Sequence, residues 1–204
     1  MRLMLKLHGF PMSPNTRRAR FALEEHGVAY EFVPVDLMSG EHRSPAYLAL
    51  NPTGRVPTLV DGDFLLWESN AILEYVAALH PDKKLGGQSP RDTGEIARWM
   101  YMNCAHLSPN VARIFAHTIR LPPEKRIPQL VDDARAEVDR SLGAMAKRLA
   151  GRPYLADRFS LAEIAVAPTL AAAPMLGIDL GRFADVAAWM ARISERSAWK
   201  KVHA

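Results

Sequence analysis

The sequence predicts two folded units, an α/β sandwich over residues 1–80 and an all-α unit over residues 90–204. Three observations carry this. Short strand-like runs alternate with helix-like ones up to about residue 80, and every periodic stretch beyond has helical spacing. Two β-like runs flank Asp61-Gly62, a hairpin-turn dipeptide. Between the two regimes, residues 80–90 are polar, carry Gly86-Gly87 and read as a linker.

In the first unit, residues 3–7 read as a strand, 15–25 as a helix and 30–35 as a second strand. Residues 45–50 suit a short helix, and 56–60 and 64–67 are strands around the hairpin turn. Residues 70–79 close the unit as a helix with Ile72, Leu73, Val76 and Leu79 on one face. Strands mixed with helices over this length make a small α/β sandwich. The order βαβ then ββα is thioredoxin-like.

In the second unit, Ser89 caps a helix that starts at Pro90. Its expected buried face is Ile96, Trp99, Met100, Cys104, Leu107 and Val111, and Pro109 is expected to bend or break it near 107–108. A second long helix carries Leu130, Val131, Ala134, Val138, Leu142, Met145 and Leu149 and ends at Gly151. Two more follow, from Leu161 to about Leu176, the Ala171-Ala172-Ala173 run included, and from Ala184 to about Trp199. Phe159-Ser160-Leu161-Ala162-Glu163-Ile164 opens the first of these. Ser160 and Glu163 form a capping box, and Phe159 with Ile164 can staple it. That element nucleates a helix and does no chemistry.

Composition removes several function classes. With 204 residues, 49% of them apolar, the chain can bury one large core or two small ones. A net charge of +4 admits anionic ligands, but 26 basic against 22 acidic residues, without a Lys/Arg stripe interleaved with aromatics, is no nucleic-acid signature. Cys104 is the only cysteine, which excludes an internal disulfide and a cysteine metal cluster. The histidines show no paired spacing of the His-Glu-x-x-His kind, so no metal is expected. Residues 1–7 are too short for a signal-peptide apolar region, and no run approaches the ~20 apolar residues that span a bilayer. A cytoplasmic protein without membrane or nucleic-acid partners is the expectation.

Three short segments can carry chemistry. Ser13 precedes Pro14 at a helix start, an ordinary N-cap arrangement. The same geometry lets its hydroxyl donate to an anion that the helix dipole already favours. Val56-Pro57 starts a strand, where proline is tolerated only at an edge or the first positions. Most X–Pro bonds are trans, whereas in thioredoxin-like folds this proline is cis and exposes the preceding residue's N–H and C=O for strand-like pairing with a peptide ligand. Glu68-Ser69 precedes the helix over 70–79. Ser69 is a good cap, and with the helix N-terminus it suits an α-carboxylate, while Glu68 suits an α-ammonium. The pair is complementary to an amino-acid head group.

Taken in order, Phe10-Pro11-Met12-Ser13-Pro14-Asn15, Arg55-Val56-Pro57 and Glu68-Ser69 resemble the thiol-peptide site of a cytosolic glutathione transferase of the serine type, phi-like in particular. The similarity runs over the whole chain. Met12-Ser13-Pro14-Asn15 matches the phi-like Met-Ser-x-Asn turn. Residues 51–59 match Asn-Pro-x-Gly-x-Val-Pro-x-Leu, the most specific segment in the chain. The capping box at Ser160 stands where the family has Ser/Thr-x-x-Asp, with Glu163 in place of Asp. The resemblance implies the glutathione transferase fold, with glutathione as substrate and Ser13 stabilising its thiolate. It also implies a glutathione-binding set of His42, Arg43, Arg55, Val56, Glu68 and Ser69. Of these, His42 and Arg43 are ordinary surface residues by composition. They are assigned to the glycyl carboxylate because Glu41-His42-Arg43-Ser44-Pro45 matches the phi-like Glu-His-Lys-Ser-Pro string.

The same resemblance implies a hydrophobic electrophile as second substrate and a homodimer. Phe10 and Met12, with Met102, His106 and Arg113, are the expected walls of the acceptor pocket. Arg17, Arg18 and Arg20 read as a solvated helix face, and Met100, Met102 and Cys104 as core. Two other functions stand beside conjugation. Asn15 and Thr16 near the sulfur position suit a glutathione-dependent disulfide reductase or peroxidase. A non-catalytic ligand- or partner-binding protein on the same fold has no physical need for all three segments at once.

Overall fold

The computed structural model describes residues 4–204 and divides into two compact units. One comprises the residues up to Gly86 together with Ser197–Ala204; the other is Gly87–Arg196.

The first unit is built on a four-stranded sheet of β1 (Leu5–Gly9), β2 (Tyr30–Pro34), β3 (Thr58–Asp61) and β4 (Phe64–Trp67), in the order β2-β1-β3-β4. β1 and β2 are parallel; β3 pairs antiparallel with β1 and with β4. Helices α1 (Pro14–His26), α2 (Pro45–Leu50) and α3 (Ser69–Leu79) complete the thioredoxin-like arrangement. Leu3, expected in the first strand, lies outside the described residues. Register sets the core: Leu7 pairs Leu59, and both are buried with Leu5, Ala19, Leu23, Ile72 and Val76. α1 starts at Pro14 under the Ser13 cap and stops at Gly27, whose φ of 69° only glycine adopts without strain.

The second unit is helical throughout, with α4 (Pro90–Met102), α5 (Ser108–Phe115), α6 (Pro128–Leu149), α7 (Leu161–Leu170) and α8 (Ala184–Ser194). Pro109 neither breaks nor ends its helix. A π-helical turn, Asn103–Leu107, joins α4 to α5 and keeps the backbone helical on both sides of the proline. This also corrects the expected core. Cys104 is exposed, while Asn103 is buried and donates from Nδ2 to the Ala165 carbonyl at 3.0 Å. The buried position thus falls to the polar residue, whose amide has the Ala165 carbonyl as its partner.

α7 is shorter than its pattern. It ends at Leu170, and the Ala171–Ala173 run forms turns rather than helix. Pro174 offers no N–H to the Leu170 carbonyl, which accepts instead from Ala173 at 3.0 Å. Likewise the helix expected to run to about residue 199 is two. α9 (Ser197–His203) follows α8 after a turn and packs on α1 in the first unit, where Trp199 meets Phe21 edge-on and Lys201 pairs with Glu24 at 2.7 Å. The helical unit therefore ends at Arg196, not at residue 204. None of the described helices is long and apolar enough to cross a membrane.

Candidate active site

The site begins with a close approach. A Cβ on Gly9 would lie 2.4 Å from Thr16 Cγ2, so a residue without a side chain is needed where α1 folds back over the end of β1. Phe10 to Ser13 make the turn, with the Ser13 N–H donating to the Phe10 carbonyl at 3.0 Å. Ser13 is half-buried in extended conformation at the N-cap of α1. Its Oγ accepts one long hydrogen bond, from the Thr16 N–H at 3.4 Å. The hydroxyl proton has no acceptor among the described residues, so the side chain is free to donate.

A second piece is the loop over residues 51–57. Asn51, 1% exposed, donates from Nδ2 to the Arg55 carbonyl at 2.8 Å and to Thr58 Oγ1 at 3.1 Å. Its Oδ1 accepts from the N–H and hydroxyl of Thr53 at 3.0 and 2.7 Å. Tyr47 Oη donates to the Arg55 carbonyl at 2.7 Å and lies 3.0 Å from Thr58 Oγ1. Each buried polar group here is paired, and the network pins the chain that presents Arg55 and Val56. The Val56–Pro57 peptide bond is cis.

The third piece is the start of α3. Glu68 is exposed, with φ 71° and ψ 112°, a strained backbone for a residue other than glycine. Ser69 behind it is buried and accepts from Arg18 Nη1 at 2.8 Å. The same nitrogen reaches Asn15 Oδ1 at 3.0 Å. Arg18 is only 3% exposed, so it is no part of a solvated face; it ties the N-terminus of α1 to that of α3.

Asn15, Asn51, Thr53, Arg55, Val56, Pro57, Glu68 and Ser69 line one cleft. Two helix N-termini and a buried guanidinium make its floor electropositive, and the Glu68 carboxylate supplies the opposite charge. That arrangement can hold a zwitterionic head group. Of the residues expected from the sequence, Arg55, Val56, Glu68 and Ser69 come together there. Ser13 stands two residues before Asn15 without itself lining the cleft. His42 and Arg43 lie on a short turn, Glu41–Arg43, and neither side chain lines it. Arg43 is exposed; His42 is half-buried, its carbonyl 3.2 Å from where a Cβ on Gly54 would stand.

Phe10 is half-buried and Met12 exposed, in the same turn as Ser13. Met102, His106 and Arg113 belong to the helical unit. Met102 is half-buried, His106 and Arg113 are exposed, and Arg113 donates to Asn110 Oδ1 at 3.0 Å. Thr16 is fully buried with its hydroxyl 2.8 Å from a Cβ on Gly9, so it faces β1 and not the cleft. Among the described residues, no group of three or more His, Cys, Asp or Glu side chains gathers to hold a metal ion.

Sequence reasoning missed Arg18, Tyr47 and Asn51. One signal was available for Arg18: it is three and four residues before Phe21 and Ala22, both buried, so it shares their face of α1.

Two family models match the chain, the one described as "Glutathione S-transferase, N-terminal domain" over residues 3–78 and its C-terminal counterpart over residues 110–197. Glutathione S-transferase F9 of Arabidopsis thaliana is 34% identical, the match covering 98% of this chain and 96% of that protein. Glutathione S-transferase 3 of Zea mays is 36% identical over 97% of this chain and 92% of its own. Among solved structures, the theta class glutathione S-transferase of Xanthomonas axonopodis pv. citri with glutathione bound superposes with a TM-score of 0.89 at 33% identity, covering 98% and 97% of the two chains.

Proposed function

Since the chain belongs to the glutathione S-transferase family, we propose that it joins the sulfur of glutathione to an electrophilic small molecule, with Ser13 holding the thiolate. The observation that carries this reading is the uncommitted hydroxyl proton of Ser13 at the N-terminus of α1. A free thiol of pKa ~8.5 is mostly protonated at neutral pH. One hydrogen bond to its charged form is worth roughly 1.5–3 kcal/mol, or about one to two pKa units. At pH 7 that raises the thiolate from a few per cent to between about a quarter and about three quarters of the bound thiol. No proton relay is needed beyond it, since the bound thiolate is already the nucleophile.

In this reading Glu68 takes the glutamyl ammonium, while Ser69 and the N-terminus of α3 take the α-carboxylate. Val56 pairs its backbone with the tripeptide beside Arg55, and His42 with Arg43 meets the glycyl carboxylate. Arg18 acts through Ser69 and Asn15 as a positioning residue. A cytoplasmic homodimer with a detoxifying role belongs to the same reading. Cys104 as an exposed free thiol suits a reducing compartment, and light scattering against the 22.7 kDa monomer mass reads the assembly.

The disulfide-reductase alternative keeps one observation in its favour: Asn15 lines the cleft and Ser13 does not. Comparing wild type with Ser13→Ala and Asn15→Ala separates the two. The thiol pKa of bound glutathione, followed by ultraviolet absorbance, is expected to rise by about one to two units in Ser13→Ala. The rate with electrophiles at neutral pH falls with it, and glutathione affinity changes little. An unaltered pKa leaves Ser13 a helix cap only. A larger loss in Asn15→Ala, with disulfides as the better substrates, moves the assignment to the reductase.

A further inference from the structure

Arg17 has no role in the site as built above, and its surroundings are unusual for a guanidinium. Its N–H donates to the Ser13 carbonyl at 2.9 Å, so the two residues stand one turn apart on the same face of α1. Helical side chains lean toward the N-terminus, and Arg17 does so, donating from Nη2 to Met12 Sδ at 3.4 Å. A thioether is a weak acceptor. The Nε–H is buried and has no hydrogen-bond partner.

Among the described residues no carboxylate pairs with this cation. Arg20, three residues on in the same helix, lowers the pKa of Arg17 further, after the larger effect of burial. Arg20 is itself engaged, with Nε 3.3 Å from Tyr30 Oη and its guanidinium 4.9 Å above the Phe32 ring. Glu24, the acid on that side of α1, is taken by the Tyr30 hydroxyl at 3.0 Å and by Lys201 at 2.7 Å. From α9 comes His203, stacked on Trp199, with Nδ1 3.0 Å from the Trp199 carbonyl and Nε2 buried without a partner. Its proton is therefore on Nδ1 and the ring brings no negative charge. The guanidinium is thus left with one buried, unpartnered N–H and with sulfur as its hydrogen-bond acceptor, an incomplete arrangement that a ligand can complete.

We infer that Arg17 is a specificity residue for an acceptor substrate that carries a carboxylate, received by the guanidinium one helical turn from Ser13 once Met12 yields its contact. The inference rests on the transferase reading and adds the class of electrophile to it. The carboxylate stays a spectator and only sets the pose. A charge-assisted hydrogen bond of this kind is worth about ten- to hundredfold in affinity.

The test compares 4-chloro-3,5-dinitrobenzoate with its methyl ester. In both, a carbon–sulfur bond forms at the aryl carbon and the carbon–chlorine bond breaks, its electron pair leaving with chloride. Only the charge differs. With rates normalised to the uncatalysed reaction, wild type is expected to favour the acid in kcat/KM by at least about tenfold. Arg17→Met brings that ratio close to one and Arg17→Lys restores part of it. A wild-type ratio of one, or a ratio unmoved in Arg17→Met, overturns the inference. If Arg17→Met fails to fold, Arg17→Lys decides by whether its ratio is reduced. If wild type conjugates neither compound, this aryl chloride is not among its electrophiles, and the transferase reading is judged separately by the Ser13→Ala comparison. Calorimetry with 3,5-dinitrobenzoate at saturating glutathione then judges the site: weaker binding to Arg17→Lys supports it, and equal binding overturns it.

Discussion

Ser13 and Ser160 obey the same local rule and end in opposite states. Each precedes a helix as its N-cap. Ser160 is fully buried; its Oγ accepts from the Ala162 N–H at 3.1 Å and donates to Glu163 Oε2 at 2.9 Å. Glu163 in turn accepts from the N–H groups of Ser160 at 2.9 Å and Leu155 at 2.7 Å. Every polar atom of that cap is used, and the result is stability. Ser13 has Thr16 at the corresponding third position, turned toward Gly9, and cannot be answered in the same way. Its proton is left over, two residues before Asn15, which lines the cleft. One cap is closed, the other leaves its hydroxyl proton uncommitted, and the residue three places on decides which.

The largest effect expected from this contrast is a pH dependence of folding. Burial raises the Glu163 carboxyl from 4.5 to about 7, against the opposing pull of its hydrogen bonds. A raised acid favours the folded state fully below the unfolded pKa and loses that contribution as pH climbs through the folded one. Stability should therefore fall by up to about 3 kcal/mol between pH 4.5 and 7. Burial lowers His8, His26 and His203, whose effect has the opposite sign: stability lost as pH falls below 6.5. Denaturant titrations of wild type and Glu163→Gln isolate the carboxyl. The variant should be less stable throughout and lack the falling component; equal slopes would place the ionisation elsewhere.

Reciprocal alanines sharpen the comparison at intermediate size. Ser160→Ala strands the buried Ala162 N–H and takes one donor from Glu163 Oε2, and should cost about 2–3 kcal/mol without moving the thiol pKa of bound glutathione. Ser13→Ala removes only a long cap bond and should cost about 0.5–1 kcal/mol. Equal losses in melting temperature would abolish the distinction between a closed and an open cap.

The smallest effect concerns the strained backbone at Glu68 in the cleft. Glu68→Gly relieves a φ of 71° and should gain about 0.5–1 kcal/mol after the added freedom of the unfolded chain. Glutathione affinity should meanwhile drop about tenfold, for want of a partner to the ammonium. A variant both less stable and equally avid would show that neither the strain nor the carboxylate matters.

Much of this was legible along the chain. Pro14, Pro90 and the Ser160–Glu163 box act over four residues or fewer, and the helices they open start where they say. Residues 51–59 carried their motif intact, and Arg55 and Val56 from it line one cleft with Glu68 and Ser69 from a separate segment. Arg18 was misread because its solvation depends on Ser69, 51 positions away. His42 and Arg43 were placed by a string match, and a string does not say which way a side chain on a turn points.

The sequence by itself therefore determined which segments are strand or helix, where most of them end, and which short stretches meet at the cleft. Those are matters of backbone dihedrals and of hydrogen bonds closed within one turn. Tertiary structure alone decided that Arg18 is buried, that Asn103 rather than Cys104 turns inward, and that α9 joins the first unit. It also decided that the helix carrying Pro109 survives through a π turn. Each of these outcomes depends on a partner supplied by a distant element, such as the Ala165 carbonyl for Asn103 or Phe21 for Trp199, and no local pattern specifies a partner it does not contain.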